Sequence, residues 1–407
     1  MLLAALAWRN LWRQPRRTLL SLASIALAAA LLVFMLSFQL GVYDQMKENV
    51  LKLFDGYAQF QAPGYADDPD LRKTILDPRR LALEAKGIPG IEAAAPRVNA
   101  FAILANGEKS FGAAVVGVDP TAEQSVSSLN AAIVSGRYLL ASDTSTIVLG
   151  DALARNLGVS LGGKVTLLGS TMDGSVAADV LEVVGIYHSG IPEMDRSLSE
   201  IPFARAQATF GLPNRANTLA ISGRALAEVN EALPRLASLG HRQRLALQDW
   251  GALEPALRDS IRLKYITTAL IYGTLVVVVT FIILNTLLMS VLERTHEFGI
   301  LLAIGMRPSA IGSMVWLELL SLALLGALIG IAIGGAIALW FAVHGIAISG
   351  LGATLRQYGL PTRLFPTISA LSVLLGPTVI TLAICVGGIV PYLHVRRLTA
   401  ASAMRAS

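Results

Sequence analysis

The residues best suited to specific binding chemistry lie in one short segment, Glu293 to Arg307, with the sequence ERTHEFGILLAIGMR. Charged residues open this segment, an apolar run follows, and Gly299 and Gly305 interrupt it. This composition predicts a short helix at a membrane surface, with its apolar side available to a partner protein. A surface helix that contacts only lipid would have the same composition, so the residues alone leave both interpretations open.

Catalytic groups do not form any pattern that indicates an enzyme. No serine or cysteine nucleophile motif surrounds the five scattered histidines, which are His188, His241, His296, His344 and His394. Residues 158–165 match G-x-x-x-x-G-K, but Val165 stands where a phosphate-binding loop needs Ser or Thr for magnesium. A glycine turn entering a strand explains this match better. We therefore predict a non-catalytic chain that has no ATPase of its own.

The sequence also predicts no metal site and no cofactor in this chain. The single cysteine, Cys385, lies in an apolar stretch, and no Cys/His cluster has the spacing of metal ligands. Asp67, Asp68 and Asp70 lack the glycine and the spaced acids of a calcium-binding loop, so they predict a solvated turn.

The chain contains four long stretches without charged residues: 18–43, 265–292, 319–355 and 364–395. The segment 293–307 lies between the second and the third of them. Each stretch exceeds the roughly 20 apolar residues that span a hydrocarbon core. Because 54% of all residues are hydrophobic, we predict an integral membrane protein. The predicted order is a cytoplasmic amphipathic helix (1–17), transmembrane helix 1 (18–43), an extracytoplasmic domain (44–264), transmembrane helix 2 (265–292), a cytoplasmic loop (293–307), transmembrane helix 3 (313–343), an extracytoplasmic loop (344–366), transmembrane helix 4 (367–393) and a cytoplasmic tail (394–407).

Arginines near the ends of the spans indicate which side faces the cytoplasm. Four precede the first span and three follow the last: Arg9, Arg13, Arg16, Arg17, Arg396, Arg397 and Arg405. Both termini are therefore expected in the cytoplasm, and Arg356 and Arg363, in an outside loop, are the exception. These signals account for the net charge of +5 without a nucleic-acid partner. Because the first apolar run continues through Leu31–Leu36, we predict an uncleaved anchor rather than a signal peptide.

The domain between the first two spans is predicted to be α+β, arranged as two subdomains. Short β-branched runs bounded by turn residues predict strands, and longer mixed runs predict helices. The predicted strands are 113–118, 146–149, 165–168 and 180–184, and the predicted helices are 204–210 and 223–239.

Two features of the third span have more than one interpretation. Gly326, Gly330 and Gly334 recur at a spacing of four, which lets two helices approach closely in lipid, either within the chain or against a partner. Glu318 near the start of the span is either a functional acid inside the membrane or an interfacial residue close to the loop.

Residues Glu293–Gly305 resemble the signature E-R-x-x-E-x-G-I-L-x-A-x-G that follows the second span in MacB/LolC/FtsX-type ABC transporter permeases. The start of the chain, Ala7–Leu20, resembles the first helix of this family. Val116–Pro120, Leu149–Ala154 and Val184–Ile186 look like its MacB-type periplasmic core. The resemblance covers nearly the whole chain. It implies an α-helical membrane protein with four transmembrane helices and a large α+β extracytoplasmic domain inserted between helices 1 and 2.

The resemblance implies a permease subunit in the bacterial inner membrane, closest to the LolC/LolE-like lipoprotein-releasing members. Its implied partners are a cytoplasmic ABC ATPase that binds ATP and Mg, a second permease chain forming a homo- or heterodimer, a periplasmic lipoprotein carrier or adaptor, and membrane lipid. ATP-driven closure would be transmitted through the helices to the outer domain, and the cargo would be lipoprotein or lipophilic molecules.

The same resemblance assigns roles to individual residues. The implied ATPase-coupling residues are Glu293, Arg294, Glu297, Phe298, Gly299, Leu302, Ala303 and Gly305. Phe298 departs mildly from the family, where an aliphatic residue is more usual. The residues expected to contact cargo are Phe34, Met35 and Phe38, near the outer end of the first span.

Two other functions remain open from the sequence. One is a MacB-type efflux permease that works with an adaptor and an outer-membrane channel. The other is an FtsX-type signal transducer that moves no cargo and controls a cell-wall hydrolase.

Overall fold

A computed structural model describes residues 2–13, 15–347, 350 and 363–396. Arg356, Arg397 and Arg405, which entered the prediction of orientation, lie outside the described residues, as do most of the predicted loop 344–366 and the predicted tail 394–407.

The described helices and strands follow one another along the chain without a long irregular segment. The helices are α1 Leu2–Leu11, α2 Pro15–Leu53, α3 Pro78–Lys86, α4 Pro120–Glu123, α5 Asp151–Leu157, α6 Pro192–Ser197, α7 Phe203–Thr209, α8 Leu226–Gln243, α9 Trp250–Leu253, α10 Pro255–Glu293, α11 Thr295–Ala303, α12 Pro308–His344, α13 Ala370–Gly387 and α14 Ile389–Arg396. The strands are β1 Ala58–Gln61, β2 Ile75–Leu76, β3 Ala93–Asn106, β4 Lys109–Val118, β5 Ile133–Gly136, β6 Thr146–Gly150, β7 Lys164–Ser170, β8 Val176–Tyr187, β9 Leu198–Pro202, β10 Arg215–Ala216, β11 Thr218–Ser222, β12 Ala246–Asp249, β13 Ile346–Ala347 and β14 Arg363–Leu364.

Two compact units divide the chain. The first contains Met1–Asp44, Ser260–Ser349 and Thr362–Ser407, and the second contains Gln45–Asp259 and Gly350–Pro361. Four helical segments of the described chain are long and apolar enough to cross a membrane: α2, α10, α12 and the segment Ala370–Arg396. Helices α2 and α10 are longer than the apolar stretches that predict them. A helix satisfies its own backbone hydrogen bonds, so it continues into charged sequence without a break.

The glycines of α12 pack against α2 within the same chain, which answers the question that the sequence left open. A Cβ at Gly330 would press on the Ala29 side chain and come within 2.7 Å of the Ala26 carbonyl oxygen. Gly326 and Gly334 lie equally close to α2. The two helix backbones therefore meet along a surface that admits only small residues.

Gly330→Val should destabilise the first unit, which contains the membrane-spanning helices, by about 1–3 kcal/mol. This is the usual cost of forcing extra methyl groups into a packed interface. We expect a lower melting temperature for the purified protein in detergent. Gly335→Val is the matched control, because a Cβ at Gly335 meets open space while the change in helix propensity is the same. Equal melting temperatures for the two variants would contradict close packing at Gly330.

The second unit is built on one continuous ten-stranded sheet. Along the sheet the order is β12-β1-β11-β3-β4-β9-β6-β8-β5, and β7 pairs with both β3 and β8. The pairing is mixed, since β4 with β9 and β6 with β8 are parallel while the other pairs are antiparallel. The predicted strands 113–118, 146–149, 165–168 and 180–184 lie in β4, β6, β7 and β8, and are confirmed. The predicted helices coincide with α7 and α8 within a few residues.

The two largest hydrophobic clusters among the described residues of the second unit lie on this sheet, although the sheet itself is not split into two subdomains as the sequence suggested. One cluster includes the fully buried side chains Leu104, Val115, Leu149, Leu167 and Leu181. The other includes Phe60, Leu219, Ile221, Val229 and Leu236. Alternate residues of β8 are buried and exposed, so one face of this strand contributes to the core and the other faces away from it.

A buried polar cluster lies at the centre of the second unit. Arg97 donates to both carboxylate oxygens of Glu123, at 2.5 and 3.1 Å, and both side chains are about 1% exposed. Tyr138 donates to the Oε2 atom of Glu200 at 2.6 Å. Burial, together with the nearby charge of Glu123, raises the pKa of Glu200 to about 8. Burial therefore favours the protonated form of Glu200 beside the Arg97–Glu123 pair.

Candidate coupling site

Helix α11 is a short helix between two membrane-spanning helices, at the segment that the sequence singled out. The Thr295 hydroxyl donates to the Leu292 carbonyl oxygen at 2.8 Å, which ties the start of α11 to the end of α10. At its other end Gly305 has a φ of +98°, a conformation that glycine adopts without strain. Pro308 then opens α12. Tight turns on both sides thus fix the position of α11.

One face of α11 is buried against its neighbours. The Phe298 side chain is only 1% exposed and lies in a cluster with Ala7 of α1, Ile311 and Met314 of α12, and Val395 of α14. Thr295 and Gly299 are also buried. Phe298 and Gly299 therefore hold α11 in place and do not reach its outer surface.

The opposite face of α11 is exposed and partly apolar. Ile304, just after the helix, is 79% exposed, and Ile300 is 46% exposed. The two are four residues apart, so they lie on the same side of the turn. Glu297, Ala303 and Gly305 are exposed beside them. Neither isoleucine is among the coupling residues predicted from the sequence, although their spacing in an apolar run could have identified them.

Two arginines that precede the first span form ion pairs with the start of this segment. Arg13 lies 3.3 Å from Glu297, and Arg17 lies 2.9 Å from Glu293. Arg17 also donates to the carbonyl oxygen of Thr286 on α10. From the sequence, Arg13 and Arg17 were expected to be topology signals at the membrane surface, and the structure also brings them to the candidate site.

Arg294 connects the segment to α12. Its guanidinium lies 3.3 Å from Glu318 and 3.4 Å from Glu297, and the Arg294 and Glu318 side chains are 14% and 13% exposed. The same guanidinium lies 5.4 Å from the centre of the Phe298 ring, a cation–π distance. Glu318, which the sequence left between two interpretations, is thus the ion-pair partner of Arg294.

A cavity of about 190 Å³ lies among these charged groups. It is lined by Asn10, Leu11, Arg13, Arg17, Thr18, Ser21, Thr286, Arg294, Glu297, Glu318 and Leu322. A space of this size with polar walls can hold several water molecules. Three arginines and two glutamates line it, and each of these arginines forms an ion pair with a glutamate: Arg13 with Glu297, Arg17 with Glu293, and Arg294 with Glu318. Its chemistry is that of an ion-pair network that orients helices.

The remaining residues of the sequence prediction lie on α2. Phe34 packs on Phe38, with ring centres 6.2 Å apart, and on Phe341 of α12 at 5.9 Å. Met35 is 40% exposed on the neighbouring side. The structure therefore joins the two phenylalanines to α12 and leaves Met35 as the accessible member of the three.

Comparison with known proteins places this architecture among transporter components. Residues 18–236 match the model of the MacB-like periplasmic core domain, and residues 269–400 match that of the FtsX-like permease C-terminal region. The chain is 27% identical over 328 residues to the lipoprotein-releasing system transmembrane protein LolC of Neisseria meningitidis, covering 78% of this chain and 76% of the relative. It is 26% identical over 355 residues to LolE of the same kind of system in Haemophilus influenzae, covering 82% of each chain.

A third relative is larger. The macrolide export ATP-binding/permease protein MacB of Sodalis glossinidius is 25% identical over 350 residues, which cover 79% of this chain and 50% of the relative. Among solved structures, the periplasmic region of MacB from Actinobacillus actinomycetemcomitans matches 49% of this chain and 91% of its own, with 14% identity and a TM-score of 0.37. The extracellular domain of the ABC-type transporter YknZ matches 47% and 98%, with 16% identity and a TM-score of 0.35. The chain belongs to the family with a MacB-like periplasmic core domain and an FtsX-like permease C-terminal region, and is an ABC transporter permease of the LolC, LolE and MacB kind.

Proposed function

We propose that this permease couples a separate cytoplasmic ATPase to an extracytoplasmic domain, and that it extracts lipoprotein or lipophilic cargo from the bacterial inner membrane. The observation that carries the coupling role is the exposed apolar ridge of Ile300 and Ile304 on α11. An apolar helix face at a membrane surface docks into a hydrophobic groove of a partner. Buried Phe298 and the Arg294–Glu318 pair prevent this face from rotating away.

The ion-pair network gives the ridge a mechanical connection to the spans. Glu293 is paired with Arg17 in the first turn of α2, Glu297 is paired with Arg13 just before α2, and Arg294 is paired with Glu318 of α12. A force applied at Ile304 would therefore reach two membrane-spanning helices, and the close α2–α12 packing at Gly330 would make them move together. We place the termini and α11 in the cytoplasm, and residues 44–264 outside, because arginines precede α2.

The proposed cargo rests on the relatives and on α2. LolC and LolE, which match this chain over most of their lengths, are named as components of lipoprotein-releasing systems. Met35 is exposed beside the Phe34–Phe38 pair, so this part of α2 presents an apolar surface within the lipid layer. Acyl chains would bind such a surface through burial of apolar area.

Reconstitution tests the proposal directly. The permease and its partner ATPase are placed in liposomes that contain a lipidated protein, and ATP-dependent release of that protein is measured. Met35→Ser should reduce the release rate several-fold, because a polar side chain weakens contact with acyl chains. Leu27→Ser is the matched control, since Leu27 is also exposed on α2 but lies two turns closer to its start. Export of a small molecule without release of lipoprotein would favour a MacB-type efflux permease instead.

A further inference from the structure

Three potential metal ligands meet in the second unit. Asp151 begins α5, His188 directly follows β8, and Asp195 lies in α6. The Nδ1 atom of His188 is 3.2 Å from the Oδ2 atom of Asp151 and 3.0 Å from the Oδ2 atom of Asp195. All three ligand atoms lie within 4.8 Å of one another. The spacing along the sequence follows no metal motif, so only the fold reveals this cluster.

The separations agree with ligands arranged around one ion. Bonds of about 2.1 Å to a nitrogen and two oxygens, at angles between about 90° and 110°, place the ligand atoms roughly 3.0–3.4 Å apart. The two distances from His188 fall in this range. Imidazole together with carboxylates suits divalent first-row transition metals, of which zinc accepts this ligand set most readily.

Neighbouring groups already orient one of the ligands. The Asp195 side chain is only 3% exposed. Its Oδ1 atom accepts hydrogen bonds from the backbone nitrogen and the hydroxyl of Ser189, at 2.8 and 2.6 Å. The Oδ2 atom is thereby directed towards His188. Outer hydrogen bonds that fix a ligand in this way are a regular feature of metal sites.

Asp151 contributes an independent observation. Its Oδ1 atom is buried and has no hydrogen-bond partner among the described residues. A buried carboxylate oxygen without a partner is uncommon and calls for a cation or a bound water. The Oδ2 atom of Asp151 accepts a hydrogen bond from Arg155 at 2.7 Å. The Arg155 side chain is 69% exposed, so this ion pair contributes little stabilising energy. Arg155 therefore competes weakly with an ion at the cluster.

We propose that Asp151, His188 and Asp195 form a site for a divalent transition-metal ion, with Zn²⁺ as the preferred ion. The His188 side chain is 55% exposed, so water can complete the coordination. The bound ion links α5 and α6 to the end of β8, and it stabilises the folded domain by an amount that grows with the logarithm of the ion concentration divided by its Kd. This site is independent of the coupling role proposed for α11.

The test uses the full-length protein, purified in detergent and stripped with a chelator. After dialysis against Zn²⁺ and excess Mg²⁺, the wild type should retain one equivalent of zinc, measured by mass spectrometry of the metal, and its melting temperature should rise. His188→Ala should bind Zn²⁺ at least about tenfold more weakly. His241→Ala, which removes an exposed histidine of α8, is the matched control and should bind as the wild type does.

A second variant distinguishes between two interpretations of the cluster, a metal site and a set of ion pairs. Arg155→Gln removes the competing guanidinium from Asp151, so it should tighten Zn²⁺ binding. If the wild type retains no zinc, or if His188→Ala retains as much as His241→Ala, the proposal is overturned. A stabilisation by His188 that occurs only at acidic pH and without zinc would likewise overturn it, in favour of a protonated histidine between two carboxylates.

Discussion

Ile304→Glu is expected to abolish stimulation of the partner ATPase while the permease still folds and enters the membrane. The Ile304 side chain is 79% exposed, so a charge there costs the folded chain little. In a docked complex the same charge would enter an apolar groove, and losing such an anchor typically costs about 2–4 kcal/mol. That loss corresponds to roughly 30- to 1,000-fold weaker binding. Co-purification with the ATPase and ATP hydrolysis in liposomes measure the effect.

Val176→Glu is the matched control for this variant. Val176 lies at the start of β8 and is also 79% exposed, so the two substitutions place the same charge at equally exposed aliphatic positions. Ile300→Glu should show a smaller effect than Ile304→Glu, because Ile300 is already half-buried. Normal ATPase stimulation by Ile304→Glu would mean that α11 contacts only lipid, the second interpretation of its composition.

The sequence predicted the spans and the strands well because both depend on local patterns. An uncharged stretch longer than the hydrocarbon core must cross it as a helix, and α2, α10 and α12 contain such stretches. The strand over 180–184 was recognisable because this short run is rich in valine, and in the structure β8 buries every second residue. The single continuous sheet was not predictable, since strand order depends on contacts between distant parts of the chain.

The sequence predicted which segment forms the candidate coupling site, but it did not predict which side chains of that segment are exposed. Phe298 was predicted as an ATPase-coupling residue, yet its side chain lies in a cluster with Ala7, Ile311 and Met314, which are distant in sequence. Which residues of a short helix face outwards depends on these packing partners, and the order of the residues does not reveal them. Local composition indicated that the segment begins with charged residues. The pairing of Glu297 with Arg13 could not be predicted in this way, because it depends on how three helices pack together.

Arg294→Leu is expected to lower the free energy of unfolding by about 3 kcal/mol, at the lower end of the cost of breaking a buried ion pair. The substitution leaves the Glu318 carboxylate, which is 13% exposed, without its cation. Chemical unfolding of the purified protein in detergent measures this change. Arg13→Leu is the matched control, because the Arg13 side chain is 62% exposed and its pair with Glu297 should contribute less than about 1 kcal/mol.

The double variant Arg294→Leu/Glu318→Leu distinguishes an effect on the free energy of unfolding from an effect on stimulation of the partner ATPase. Replacing both partners of a buried pair with apolar residues is often neutral or stabilising, so the double variant should recover most of the stability lost by the single one. We expect both Arg294→Leu and the double variant to stimulate the ATPase less than the wild type does, because each lacks the directional ion pair that holds α11 to α12. Additive losses of stability would show that the two side chains do not interact. Full recovery of ATPase stimulation would show that Phe298 packing alone orients the ridge, and that the ion pair only neutralises charge near the membrane.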